Sequence, residues 1–277
     1  MISNFKIFIL QKAVNATVSS IRKPMIEKFP IPIPPLPIQE EIVKILDTFT
    51  ELEAELELKL QAELEARRKQ YEYYRNKLLT PVKHNGRWYL NGVEVEWKKL
   101  GEVLDYEQPT KYIIQTTDYS DNYDIPVLTA GQTFILGYTN EKDGIFKATK
   151  NDPVIIFDDF TTSFHWVDFD FKVKSSAMKL LKPRKEVKIV FKYVYYAMTC
   201  IKYSTIEHSR QWISKYSNIP IPIPPLSEQE RIVAILDKFD ALVNDLTSGL
   251  PAEIEARRKQ YEYYRNKLLQ FPPFQKC

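Results

Sequence analysis

The segment EARRKQYEYYRNKLL occurs twice in the chain, at Glu65–Leu79 and Glu255–Leu269, without a single difference. The copies are 190 residues apart, and the match continues upstream to PIPIPPL at Pro30–Leu36 and Pro220–Leu226. Across Pro30–Leu79 and Pro220–Leu269, 35 of 50 positions are identical, and no gap is needed. The stretch between the copies, about 80–219, has no internal counterpart. A repeat of this fidelity framing a unique middle requires one structural unit used twice around a single different one.

Within the first copy, Ile42, Ile45, Leu46, Phe49, Leu52, Leu56, Leu60 and Leu64 recur at steps of three and four, and Tyr71, Tyr74 and Leu78 continue the row. This spacing predicts one apolar stripe on a helix of about 40 residues, ~60 Å long. The second copy repeats the stripe from Ile232 to Leu268. Ser227 and Glu230 predict a capping box at its start. Gly249 and Pro251 predict a kink or restart within it, whereas the first copy, with Lys59 and Gln61 there, should run straight. A long helix with one apolar stripe needs a partner, so the two copies are expected to pack antiparallel as a coiled coil. PIPIPPL has too few backbone donors for a sheet interior and predicts an extended edge segment leading into each helix. The identical charged and tyrosine-rich helix ends suggest two like docking surfaces for one partner.

The middle region changes period. Asn91–Gly92 between alternating segments signals a hairpin. Strands are expected near Pro126–Thr129, Phe134–Tyr138, Pro153–Phe157 and Phe171–Leu181, and helical spacing returns at Val190, Val194, Ala197, Met198 and Ile201. The fold class is therefore α+β: one globular mixed α/β domain plus two long helical regions. From Trp88 to Phe171 there are 6 Lys/Arg against 15 Asp/Glu; from Lys172 to Lys215, 11 against 2. The basic part, interleaved with Tyr, Trp, Ser and Thr, suits phosphate binding. Equally, the acidic and basic halves can pair with each other in the fold.

Other chemistry is absent from the sequence pattern. There is no phosphate-cradling glycine loop, and His84, His165 and His208 lack metal-ligand spacing. Asp158–Asp159 has nothing around it to complete a nuclease site. FPPF at Phe271–Phe274 lacks the Asn, Asp or Ser that an amino-methylating motif needs in first place. Cys200 and Cys277 make no disulfide framework. The leader-like start at Met1–Ala16 has too short an apolar core at Ile7–Leu10, and no apolar run suits a membrane span. The chain is expected to be cytoplasmic, with neither catalytic residues nor a metal.

The segments IPIPPL, EQERIVAILDKFDALVNDL and GLPAEIEARRKQYEYYRNKLL resemble the helical regions of specificity (S) subunits of type I restriction-modification systems. VEWKKLGEV at Val95–Val103 is similar to the opening of their target-recognition domains, and Pro126–Glu141 and Pro153–Leu181 resemble one variety of such domains. The resemblance implies residues 1–29 as the end of a first recognition domain, 30–79 as helical region 1, 80–219 as a complete recognition domain and 220–277 as helical region 2. This is the order of a truncated S subunit.

It further implies a non-catalytic subunit that reads a split double-stranded DNA site and docks two methyltransferase (M) subunits, joined by restriction (R) subunits. S-adenosylmethionine, ATP and Mg belong to those partners, and self-association is a further expectation. Loop polarity assigns Gln132, Thr133, Thr161, Thr162, Ser163 and His165 to base or groove contact. Lys172, Lys174 and Arg210 are assigned to phosphates. Docking is assigned to Arg67, Arg68, Tyr71 and Tyr74, and to Arg257, Arg258, Tyr261 and Tyr264. The competing readings are a coiled-coil scaffold whose middle domain binds protein, and an inactive remnant.

Overall fold

A computed structural model describes residues 27, 33–131, 133–203, 209–244 and 250–269. The chain divides into two compact units, Met1–Tyr71 with Phe239–Cys277, and Glu72–Lys238.

The first unit is helical. Helix α1, Leu36–Leu79, runs unbroken for 44 residues, about 66 Å at the usual rise. The second copy of the repeat is two helices, α4 (Leu226–Asn244) and α5 (Leu250–Leu268). The expected restart falls where Pro251 stands in the first turn of α5, a position whose missing N–H costs no intrahelical bond.

Helices α1 and α5 meet antiparallel. Phe49 stacks on Tyr264 with ring centres 6.0 Å apart, the Thr50 and Tyr261 hydroxyls lie 3.0 Å apart, and Glu57 pairs with Arg258. Each step toward the carboxyl end of α1 thus meets a residue nearer the amino end of α5. The leucine stripe is covered less than its spacing implies: Leu52 remains 57% exposed, and Leu56 and Leu60 line an open groove with Ile254 and Tyr261. Two single-stripe helices touch along one line and leave the flanks of each stripe wet.

The second unit is mixed α/β. A meander of β1 (Val82–His84), β2 (Arg87–Leu90) and β3 (Val93–Glu94) uses two Asn-Gly turns, with Asn85 and Asn91 at φ 48° and 51°. The second is the hairpin read from sequence. The Asn91 amide also donates to Leu78 O (3.0 Å) and to Glu228 Oε1 (2.9 Å), tying the turn to the end of α1 and the start of α4. Strand β4 (Glu96–Lys99) pairs antiparallel with β12 (Pro220–Ile223), which is the extended, two-stranded placement that PIPI requires. The capping box is not the start of α4. That helix opens at Leu226, where Pro225 O accepts Glu228 N and Gln229 N, and Gln229 bridges Pro224 O and Val190 N.

After a one-turn helix α2 (Leu100–Val103), β5 (Leu104–Glu107) joins a four-stranded antiparallel sheet. Its order is β5-β11-β8-β9, with β8 Val154–Asp158, β9 Phe164–Val167 and β11 Met178–Pro183. A second sheet has the order β10-β6-β7, with β6 Ile125–Leu128, β7 Ile135–Thr139 and β10 Lys172–Val173. The single strand expected over Phe171–Leu181 is therefore two, in different sheets. Leu128, Val154, Ile156, Val167, Phe171, Val173 and Leu180 form a core cluster, while Phe157, on the other face of β8, packs on Trp212 and Tyr216. This two-sided burial is why VIIF is a continuous apolar run. Helix α3 (Phe191–Thr199) covers β9 through Trp166–Phe191 ring contact and bonds β12 through Tyr193.

Candidate nucleic-acid interface

Strands β6 and β10 are parallel, so their carboxyl ends lie side by side; Lys174 N donates to Leu128 O at 3.0 Å just beyond them. The turn that follows β10 meets the end of β8, where Asp159 N donates to Ala177 O at 2.9 Å. Gln211 N in turn donates to Asp159 O at 2.8 Å. Four connecting segments, 129–134 (described except at 132), 158–163, 174–177 and 209–212, thus converge at one end of the domain.

The 158–163 turn is built by Asp158, whose Oδ1 accepts Phe160 N (2.8 Å) and Thr161 N (2.9 Å), an Asx turn. Thr162 sits at φ 61°, a strained backbone for a β-branched residue. Thr161 is exposed, and its hydroxyl donates to Ser163 Oγ at 3.1 Å. Both threonines therefore shape the turn as well as present hydroxyls from it. The 129–134 segment is closed by Thr129, whose hydroxyl donates to Thr133 O at 2.6 Å, and Thr133 is exposed. Gln132 lies outside the described residues.

His165 belongs beneath this surface. Its ring stacks on Phe134 at 4.6 Å, and Nε2 donates to Gly131 O at 3.3 Å. Burial holds its pKa below the ordinary histidine value, against the opposing pull of the Gly131 and Ala130 carbonyls. Its ring nitrogen therefore fixes the neighbouring loop.

Of the three assigned cations, the structure removes one. Lys172 is 2% exposed; its ammonium pairs with Glu141 at 2.6 Å and donates to Asp143 O at 2.7 Å. It cannot reach a phosphate. Burial works to raise the Glu141 pKa, but the Lys172 ammonium and the Thr116 and Gln115 amides outweigh it and hold it low. Lys174 is exposed beside Tyr119, to whose hydroxyl it donates at 3.4 Å, and Arg210 stays half exposed, 4.0 Å from Asp159. Ser175 and Ser176, exposed on the same turn, were missed by the sequence reading. The interleaving of Ser with Lys in KVKSSA was their available signal.

Much of the basic segment neutralises the acidic one. Lys172–Glu141, Lys179–Asp159, Lys182–Asp152 and Arg184–Asp105 all join the two halves.

The repeated helix ends are also reordered. Arg258, Tyr261 and Tyr264 face α1, and Arg67 bonds Glu63 and Gln70 along its own helix. Arg257 likewise bonds Glu253 and Gln260, whereas Arg68 is exposed. Of the tyrosines there, Tyr73 and Tyr263 are the most offered to solvent, at 61% and 60%. Each makes an edge-on pair with the next tyrosine (5.3 Å for Tyr73–Tyr74, 5.4 Å for Tyr263–Tyr264). Each also lies under a lysine four residues on, Lys77 or Lys267, at 5.9 Å. The same small surface is made twice. A stripe read by spacing alone placed these tyrosines on neither face.

Among the described residues no group of His, Cys, Asp and Glu is placed to hold a metal, and no helix is long and apolar enough to cross a membrane.

The family profile of the type I restriction modification DNA specificity domain matches residues 2–66 and 92–256. The chain belongs to that family. It is 56% identical over 191 residues to a type I restriction enzyme specificity subunit of Escherichia coli, covering 66% of this chain and 46% of that one. It is 35% identical over 283 residues to a putative type I restriction enzyme specificity subunit of Haemophilus influenzae, covering 91% and 66%. The chain thus spans about half to two thirds of the length of these relatives. The crystal structure of a type I restriction-modification S subunit from M. genitalium shares the fold at a TM-score of 0.53 and 14% identity, over 99% of this chain and 72% of that one.

Proposed function

We propose that this chain is a DNA-reading specificity subunit of a type I restriction-modification complex, without catalysis of its own. The observation that carries the reading is the convergence of four segments bearing Thr133, Thr161, Ser163, Lys174 and Arg210 at one end of a domain of this family. Hydroxyls there suit base edges and the two cations suit phosphates. Two M subunits dock at the duplicated helix ends, with Tyr73 and Lys77 in one copy and Tyr263 and Lys267 in the other as the exposed contacts. R subunits join through them. S-adenosylmethionine, ATP and Mg reside on those partners, and the assembly works in the cytoplasm. The half-covered leucine stripe of α1 favours self-association as a second mode of pairing. A gel shift over a salt series, with and without M subunit and on cognate and scrambled duplexes, tests the reading. Sequence preference that appears only with this chain supports it; none in the full assembly refutes it.

A further inference from the structure

We propose that Asp159 is a positioning residue of the recognition surface: its buried carboxylate sets where Arg210 stands relative to the Thr161–Ser163 turn. This rests on the DNA-reading role proposed above. Asp159 is fully buried, and one residue joins three of the four converging segments. Its Oδ1 accepts Gln211 N (3.1 Å) and Trp212 N (2.8 Å), its carbonyl accepts Gln211 N (2.8 Å), and its own N–H donates to Ala177 O (2.9 Å). On one side along the chain it is continuous with the Thr161–Ser163 turn. On the other, the two amides it holds immediately follow Arg210, whose side chain stays 53% exposed.

The counter-charge is Lys179, also fully buried, with Nζ 3.3 Å from Asp159 Oδ2 and 5.0 Å from the centre of the Tyr106 ring. Among the described residues, neither Oδ2 nor this Nζ has a hydrogen-bond partner. A buried pair with poor geometry is a weak source of stability, and an apolar pair of similar size commonly does as well. What an apolar pair cannot do is accept two backbone N–H groups at a chosen point. Trp212, 2% exposed and packed on Phe157 at 5.1 Å, already adheres this segment to the core. The carboxylate therefore supplies register, fixing which side chain the segment presents beside the turn.

Two double variants separate register from stability. Asp159→Asn with Lys179→Met removes both charges but keeps the acceptor. It should keep wild-type amide hydrogen-exchange protection at Gln211 and Trp212, and wild-type DNA behaviour in the assembly with M subunit. Asp159→Leu with Lys179→Met removes the acceptor. It should lose protection at Trp212, while Gln211 N keeps the main-chain carbonyl of residue 159; it should also flatten the salt dependence by about one phosphate and lower cognate preference at least tenfold. The proposal is overturned if the Leu/Met protein keeps the protection at Trp212, or loses it with salt dependence and preference unchanged. Should that protein not fold, Arg210→Ala decides: it should give the same flattening, and an unchanged slope overturns the proposal. Amide exchange is read without DNA, so a wild-type assembly with no preference sinks the DNA-reading role while exchange still judges the anchor.

Discussion

Lys172 and Lys174 stand two residues apart in a basic run, and nothing in KVK distinguishes them, yet one is core and the other surface. Strand β10 ends at Val173, so Lys174 has left the strand while Lys172 is still in it, facing Glu141. The loss of Lys172 should therefore act on folding. Lys172→Ala leaves the partly exposed Glu141 carboxylate held by Gln115 and Thr116 alone, a loss of about 1–3 kcal/mol that thermal unfolding of the purified protein should show. Lys174→Ala should leave unfolding unchanged and weaken binding to all duplexes alike, flattening the salt dependence by about one phosphate.

His165 makes a second residue-scale prediction. Its folded pKa lies below the ordinary value of 6.5 because burial disfavours the imidazolium. The unfolded chain thus binds more protons as pH falls from about 6.5 toward the folded pKa, and stability drops over that window. His165→Phe keeps the stack on Phe134 and should remove this component. Parallel unfolding of both proteins between about pH 7 and pH 5 checks it; identical pH profiles would place the histidine in solvent.

At the scale of elements, what was legible was whatever has a period. The i, i+3, i+4 rows gave α1 its full length, and PIPI declared a strand with few donors. Strand β9, FHWV, went unread because four bulky residues in a row show neither alternation nor helical spacing, and it exists through pairing with β8. β12 finds its partner β4 more than a hundred residues earlier, a contact no local pattern announces. The same limit bears on the docking surface proposed above. Spacing identifies the stripe but not which flank stays wet, and so Tyr73 and Tyr263 were passed over for Tyr261 and Tyr264, which face α1. Replacing Tyr73 and Lys77 with Ala should remove about one of two M subunits per chain, and replacing Tyr263 and Lys267 as well should remove both. Native mass spectrometry reads the stoichiometry directly. Two bound M subunits after all four substitutions would place docking elsewhere.

At the scale of the whole molecule, the charge asymmetry of the sequence turns out to be folded inward. A run of 11 Lys/Arg against 2 Asp/Glu suggests a strong polyanion binder. Four of those cations, Lys172, Lys179, Lys182 and Arg184, instead pair with carboxylates from the acidic half, two of them out of reach of solvent. Among the described residues, the converging segments are left with Lys174 and Arg210. Each phosphate neutralised contributes a slope of about −0.9 to the dependence of log affinity on log salt, and specific reading adds affinity only on top of that electrostatic base. Two cations give a slope of about −2, too little to hold a duplex firmly at physiological salt. The chain alone should therefore bind cognate and scrambled DNA weakly and with this shallow slope. Adding M subunit should steepen the slope severalfold and bring out preference together. Fluorescence anisotropy over a salt series, run on the chain and on the assembly, measures both quantities. A slope steeper than about −5 for the chain alone would mean that a phosphate-binding face lies away from the converging segments.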